Sequence, residues 1–175
     1  MGKGIPIWRT VRHPETNEIT HQGHGIYQPS MDFSLELMNE GEWIHIYPQG
    51  RIVMPYERDQ ELSMRLRWGI GRLIAESKCS PLLLPIYHLG ADEVAPIVQP
   101  YTLQVIKRMF GPPRHFTVVV GRPFTLPDEV RRSGDTSKSE KESIYAKLTD
   151  ICQNALYNLR KEALDEHSRH IAQKH

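Results

Sequence analysis

The stretch Trp43–Arg51, WIHIYPQGR, decides how the rest of the chain is read. Trp43, Ile44, Ile46 and Tyr47 suit a buried strand, and Pro48 followed by Gly50 turns the backbone out of a sheet at the end of that strand. In an open α/β sheet, ligands bind beyond such strand ends. The same residues also fit a strand-to-loop corner that serves only the fold, so the neighbouring segments have to decide between the two.

On the N-terminal side, Ser30 reads as a helix N-cap, Phe33, Leu37 and Met38 as an apolar stripe, and Asn39, Glu40 and Gly41 as the helix end. On the C-terminal side, residues 51–62 form a polar loop long enough to be a lid or substrate arm, or a plain surface insertion. Leu66, Ile70, Leu73 and Ile74 then share one helical face, with Arg65, Arg67 and Arg72 making a basic side. Gly69 and Gly71 in this helix lack the third glycine and the preceding strand of a dinucleotide fingerprint, and read as close helix packing. A nucleotide-binding domain would rest on those glycines alone.

Further out, Pro81–Tyr87 is a continuous apolar run suited to a strand covered on both faces, and residues 103–106 fit a short strand. His115–Val120 is another β run, closed by Gly121 and Pro123. Ile144, Leu148, Ile151, Cys152, Ala155, Leu156 and Leu159 predict a long helix over 143–163, and the histidine-bearing tail after Asp165 reads as solvated. Near the N-terminus, Gly4–Arg9 reads as a short edge strand because of Pro6. Arg9 ends it, placed either to grip a phosphate with two parallel hydrogen bonds or to sit in solvent or a salt bridge. Val11–Pro29 reads as a polar loop whose His13, His21 and His24 have no Cys, Asp or Glu that completes a metal-ligand set.

Composition sets outer bounds. With 175 residues and 39% hydrophobic content, the chain is expected to form one α/β domain over 1–165, a mixed, mostly parallel sheet flanked by helices, with an exposed tail at 166–175. A formal net charge of +1 gives no electrostatic reason to expect nucleic acid. The two cysteines, Cys79 and Cys152, are far apart and outside any CxxC pattern, and read as free thiols rather than a disulfide or zinc site. No stretch has the eighteen or so consecutive apolar residues of a membrane-spanning helix, so membrane contact is expected to be interfacial.

Taken in order, the blocks GIPIWR, MDFSLELMNEGEWIHIYPQGR, RLRWGIGRLIAE, PLLLPIYHLG and VVVGRPF resemble the glycerophospholipid acyltransferase family. The likeness runs from Lys3 to about Leu159 and is most specific over Met31–Gly50 and Leu66–His88. It implies a phospholipid–lysophospholipid transacylase of the branch that sits peripherally on mitochondrial membranes, remodels cardiolipin and needs neither acyl-CoA nor a metal or other cofactor. The family's phosphate-holding Arg, at the end of a strand begun by Gly, falls on Arg9 and Gly4. Its acceptor-binding corner falls on Tyr47, Pro48, Gln49 and Gly50, followed by Arg51, and its apolar strand with a central proline on Leu84, Pro85 and Ile86.

Two departures qualify the resemblance. The family's catalytic motif is a His, any four residues, then an Asp, placed before the Arg-bearing strand. None of the nine histidines has an Asp five positions on, although His13 reaches Glu18 and His88 reaches Glu93. No catalytic residue is therefore assigned, and the chain reads as the C-terminal part of such a domain, inactive by itself. The alternative is a non-catalytic lipid-binding or interaction module of the same fold. The second departure is Gln49, where the family has Glu, so an amide that donates and accepts replaces a negative charge.

Overall fold

Helix α1, Pro29–Asn39, starts one residue before the expected cap. Proline tolerates the first helical position, where its missing N–H would have no intrahelical partner. Gln28, buried and extended, is therefore the capping residue, and Ser30 lies inside the helix with its hydroxyl donating to Gln28 Oε1 at 3.0 Å. The other end forms as expected. Gly41, at φ +86°, donates to Met38 O, and Glu42 donates to Leu37 O, the paired bonds of a Schellman cap.

The computed structural model describes residues 4–13, 15–50, 64–91, 115–132 and 137–172. The chain divides into two units, one holding the described residues of 1–51, 66–81 and 125–150, the other those of 52–65, 82–124 and 151–175. In the first unit, β1 (Val11–Arg12) and β2 (Ile19–His21) pair antiparallel within the expected loop. The turn joining them is closed by His13 N–H to Glu18 O at 2.8 Å, with Asn17 in the left-handed region at φ 58°, a conformation asparagine tolerates.

Helix α2, Gly69–Glu76, packs on α1 and on the start of the long helix described below. Gly71 is the point of closest approach, since a Cβ there would meet Tyr145 O and lie 2.6 Å from Thr149 Oγ1. Gly69 faces Met31, whose Cε would be 3.2 Å from an added Cβ. The glycines thus serve close packing, as their pattern predicts. Met31, Leu73, Ile74, Tyr145 and Leu148 form the buried core of this unit. A short helix, α3 (Asp128–Arg131), lays Arg131 inside it.

The final helix, α4, runs over Lys138–Ala172, longer at both ends than the apolar stripe predicts. Half of a capping box starts it: Glu140 Oε2 accepts from the Ser137 N–H at 2.8 Å, and the Ser137 hydroxyl donates to the same oxygen at 2.7 Å. Tyr145, Leu148, Thr149, Cys152, Leu159 and Ala163 form its buried stripe. The helix continues past Asp165, where charged side chains are helix-compatible and Arg169 pairs with Glu166 one turn back. No helix among the described residues is long and apolar enough to cross a membrane.

In the second unit, β3 (Ile86–Leu89) and β4 (Thr117–Val120) pair antiparallel, Ile86 opposite Val120 and His88 opposite Val118. The expected mostly parallel sheet is therefore not what the described residues form. Both ladders are antiparallel. A parallel neighbour needs a crossover to another strand, and the segments expected to supply one, Gly4–Arg9 and Trp43–Tyr47, form no ladder. Trp43 is 90% exposed. Aromatic and β-branched residues favour strands only where cross-strand neighbours exist to pack against. The apolar run Pro81–Tyr87, which leads into β3, also differs from expectation: Leu82, Leu84 and Ile86 are exposed, so one face is open. Gly121 closes β4 beside Pro85 and Leu159. The expected strand at 103–106 and the polar loop of 51–62 lie outside the described residues.

Both cysteines are free, Cys79 exposed and Cys152 buried in α4. Burial pushes the Cys152 thiol up to about 11, and only thiolates react readily. We expect iodoacetamide at about pH 8 to alkylate Cys79 quickly and Cys152 only after unfolding. Equal rates at the two thiols, read by peptide mass spectrometry, would contradict the packing of α4.

Candidate functional site

The corner that follows Trp43–Tyr47 keeps its shape without a strand. Gly50 N–H donates to Tyr47 O at 3.0 Å, closing a four-residue turn. Gly50 sits at φ +70°, which a side-chain-bearing residue rarely adopts. The Pro48 carbonyl accepts the Arg67 N–H at 2.8 Å and ties the turn to the residues leading into α2. Arg67 also folds over the turn, with its Cγ 3.0 Å and its Nε 3.7 Å from where a Gly50 Cβ would stand. Pro48 and Gln49 are half-buried, while Tyr47 is exposed with its ring 4.9 Å from that of His45. Arg51 lies outside the described residues.

The Arg9 segment is fixed differently. Pro6 offers no N–H, and no strand among the described residues partners Gly4–Arg9. Instead Trp8 N–H donates to Gln28 Oε1 at 2.8 Å, and the same Gln28 side chain donates to Gly25 O at 2.5 Å. One buried residue thus stands at the cap of α1, and its side-chain amide anchors the segment. The Trp8 ring lies against His24, stacked at 6.0 Å, and His21 at 5.5 Å, so these two histidines are aromatic neighbours of a tryptophan. Gly23 passes so close that an added Cβ would fall 2.7 Å from the Arg9 carbonyl carbon. The Arg9 backbone is therefore held, and its side chain is exposed. Gly4 is exposed, with open space around it.

Arg9 and the Tyr47–Gly50 turn belong to one unit, and no described hydrogen bond or ion pair joins them. Each presents a guanidinium on a fixed backbone, Arg9 on one and Arg67 on the other. That group matches phosphate geometry. Sequence reasoning placed Arg67 only on the basic side of α2. Its link to Pro48 joins residues far apart in sequence, and the signal available was a run of arginines directly before the helix. The basic side itself is broken, because Arg72 is 10% exposed at its side chain and fully engaged. It bonds Asp32 at 2.5 Å, Glu76 at 3.0 Å and Ile26 O at 2.6 Å. Burial opposes its charge, and the bonds to Asp32 and Glu76 outweigh that cost, holding the guanidinium above its ordinary range. Tyr145 donates to the same Glu76. Burial and that bond push its hydroxyl well above the usual tyrosine range.

The histidines nearest to the missing catalytic pattern have other tasks. His13 Nδ1 accepts the Glu15 and Thr16 N–H groups and shapes the β1–β2 turn. His88 stands on β3 with its ring 5.9 Å from Phe116. Glu93, its sequence partner, lies outside the described residues.

Over 164 residues, 93% of this chain, the sequence is 34% identical to Tafazzin of Drosophila melanogaster. The chain belongs to the tafazzin-like family. Tafazzin of Saccharomyces cerevisiae is 28% identical over 78% of the chain, and N-acylphosphatidylethanolamine synthase of Arabidopsis thaliana is 35% identical over 72%. The chain covers 36%, 36% and 38% of these three relatives, little more than a third of each. No family model and no solved structure matches it. Membership in the tafazzin-like family fits the mixed helices and strands seen here, with antiparallel ladders where a larger parallel sheet was expected.

Proposed function

We propose that the chain forms the acceptor-binding part of a tafazzin-like phospholipid–lysophospholipid transacylase, working at mitochondrial membrane surfaces in cardiolipin remodelling. The observation that carries the reading is the likeness over most of the chain to tafazzins and to a protein named as a synthase of an N-acylated phospholipid. In this reading Arg9, at the end of the segment begun by Gly4, holds the acceptor phosphate. The turn of Tyr47, Pro48, Gln49 and Gly50, with Arg51 after it, shapes the headgroup pocket, and Arg67 supplies a second cation beside it. The domain is taken as residues 1–165, with 166–175 outside the lipid-handling part.

Acyl transfer to a lipid hydroxyl requires a base to take the proton as the oxygen attacks the carbonyl, a contribution worth roughly two to four orders of magnitude. With no histidine spaced five before an Asp, that base comes from outside residues 1–175 in this proposal, and the chain alone turns over no lipid. The same sequence fact favours a second reading, a lipid-binding module without catalysis. A labelled-lipid exchange assay on a product extended upstream decides between them. Exchange by the extended protein and none by this chain supports the enzyme, and no exchange by either supports the module.

In an active extended protein, Arg9→Gln should lower kcat/KM about tenfold or more, the loss expected for charge-assisted bonds to phosphate. Gln49→Glu should restore a family charge and speed or tighten acceptor use. A wild-type rate and KM in Arg9→Gln would remove Arg9 from the site, and the same outcome in Gln49→Glu would show that the turn tolerates either residue.

A further inference from the structure

A cavity of about 330 Å³ opens between the end of α2 and the first turns of α4, lined by Glu76, Lys78, Arg132, Lys141, Ile144 and Tyr145 among others. Three of these side chains are cations and one is a carboxylate. The carboxylate is already used: Glu76 Oε2 accepts from Arg72 at 3.0 Å and its Oε1 from the Tyr145 hydroxyl. Asp128, beside Arg132, is bonded to Arg131 at 2.5 Å and reaches Arg132 Nε at 3.7 Å. Arg132 is held in place by donating to Lys78 O at 2.5 Å. The ammonium groups of Lys78 and Lys141 have no hydrogen-bond or ion-pair partner among the described residues.

Two of the cations sit where a helix C-terminus welcomes positive charge, since Lys78 and Arg132 follow α2 and α3. Lys141 does not. It stands one turn into α4, near the positive end of the helix dipole, where a cation facing two others is unfavourable unless an anion joins them. The arrangement is a concave, positively charged pocket with one apolar wall at Ile144 and a size that admits a phosphate and the atoms attached to it.

We propose that this cavity binds a phosphate group, with Lys78, Arg132 and Lys141 as its ligands, as a site separate from Arg9 and the Tyr47–Gly50 turn. The phosphate is carried on a phospholipid headgroup or is free in solution, and the ligand chemistry is shared. The site is drawn from this unit's own charges and geometry and does not depend on the reading of Arg9.

The test uses the full chain, a Lys78→Gln/Lys141→Gln double variant and Arg9→Gln. Titration with inorganic phosphate, followed by amide NMR shifts at residues 76–78 and 141–145, reads the free-ion source. Co-sedimentation with phosphatidylcholine vesicles, with and without phosphatidylglycerol, reads the lipid source. We expect the double variant to weaken anion binding about tenfold in at least one arm, the loss for two charge-assisted contacts, while Arg9→Gln leaves the shifts at 76–78 and 141–145 intact. Loss in the vesicle arm assigns the lipid headgroup, and loss in the phosphate arm alone assigns the free ion. Binding unchanged by the double variant in both arms overturns the site, as does binding abolished by Arg9→Gln alone, which would place all anion binding at Arg9. Both lysines are exposed, and an unchanged circular dichroism melt of the double variant confirms that charge and not folding is being read.

Discussion

Gly71→Ala is expected to destabilise the protein by about 3 kcal/mol, the upper range for forcing extra volume into a packed interior. In an exposed helix the same change would stabilise, because alanine is favoured over glycine there by about 1 kcal/mol. Here the methyl group has no space. It would press on the Tyr145 carbonyl oxygen and lie 2.6 Å from Thr149 Oγ1 and 2.7 Å from Tyr145 C. Two of those atoms are backbone of α4, and the third already bonds that carbonyl at 2.7 Å. No single rotamer change relieves the overlap, so α2 and α4 must separate along a core that includes Leu73, Ile74 and Leu148. Urea denaturation measures the effect. A midpoint equal to or above that of the parent would mean that the two helices do not meet at Gly71.

Arg131→Met should cost about 3 kcal/mol for a different reason, the loss of partners for buried carbonyls. Arg131 is 0% exposed and donates to Ile74 O at 3.0 Å, to Ser77 O at 3.3 Å and to Asp128 Oδ1 at 2.5 Å. The last turn of any helix leaves carbonyls without intrahelical partners, and here a guanidinium from α3 satisfies one at the end of α2 and another just beyond it. Methionine refills the volume but accepts none of these roles. The variant also changes the pH profile. The bond from Arg131 holds the Asp128 carboxyl below its ordinary value of 3.8, so the stabilisation is present above that value and is lost as pH falls through the lower, folded one. Arg131→Met should flatten that part of the acid limb. A parent-like melting temperature at neutral pH together with an unchanged acid limb would contradict the burial of Arg131.

Where local pattern and tertiary contact agree, the chain is readable from its residues. The glycine stop after α1, the small residues at the α2–α4 contact and the apolar stripe of α4 each follow from spacing and backbone chemistry. Pro29 moves the start of α1 by fixing its first helical position, a rule that outweighs the capping preference of Ser30. Trp43–Tyr47 fails as a strand because β propensity reports a fit to neighbours, and the described residues provide none. The buried arginines were out of reach for a similar reason. Nothing adjacent to Arg72 or Arg131 marks it as interior, and the partners that make burial tolerable include Asp32 and Ile74, 40 and 57 positions away. In the candidate site, the Pro/Gly corner at Tyr47–Gly50 is legible and forms its turn, whereas the strand that was to end on Arg9 does not form among the described residues. The pinning of that turn by Arg67 and the anchoring of Trp8 by Gln28 are long-range bonds that no local pattern announces.

The open face of β3 and β4 has a colloidal consequence. Ile86, Phe116, Val118 and Val120 are all exposed, and alternate residues of paired strands share a face, so they form a greasy panel. A formal charge of +1 and an isoelectric point near 7.9 leave almost no repulsion between molecules at neutral pH to keep such panels apart. Concentrated solutions of the isolated chain will therefore disperse best well to the acid side of that point, where the net positive charge grows, and mild detergent that coats the panel will do the same work without changing pH.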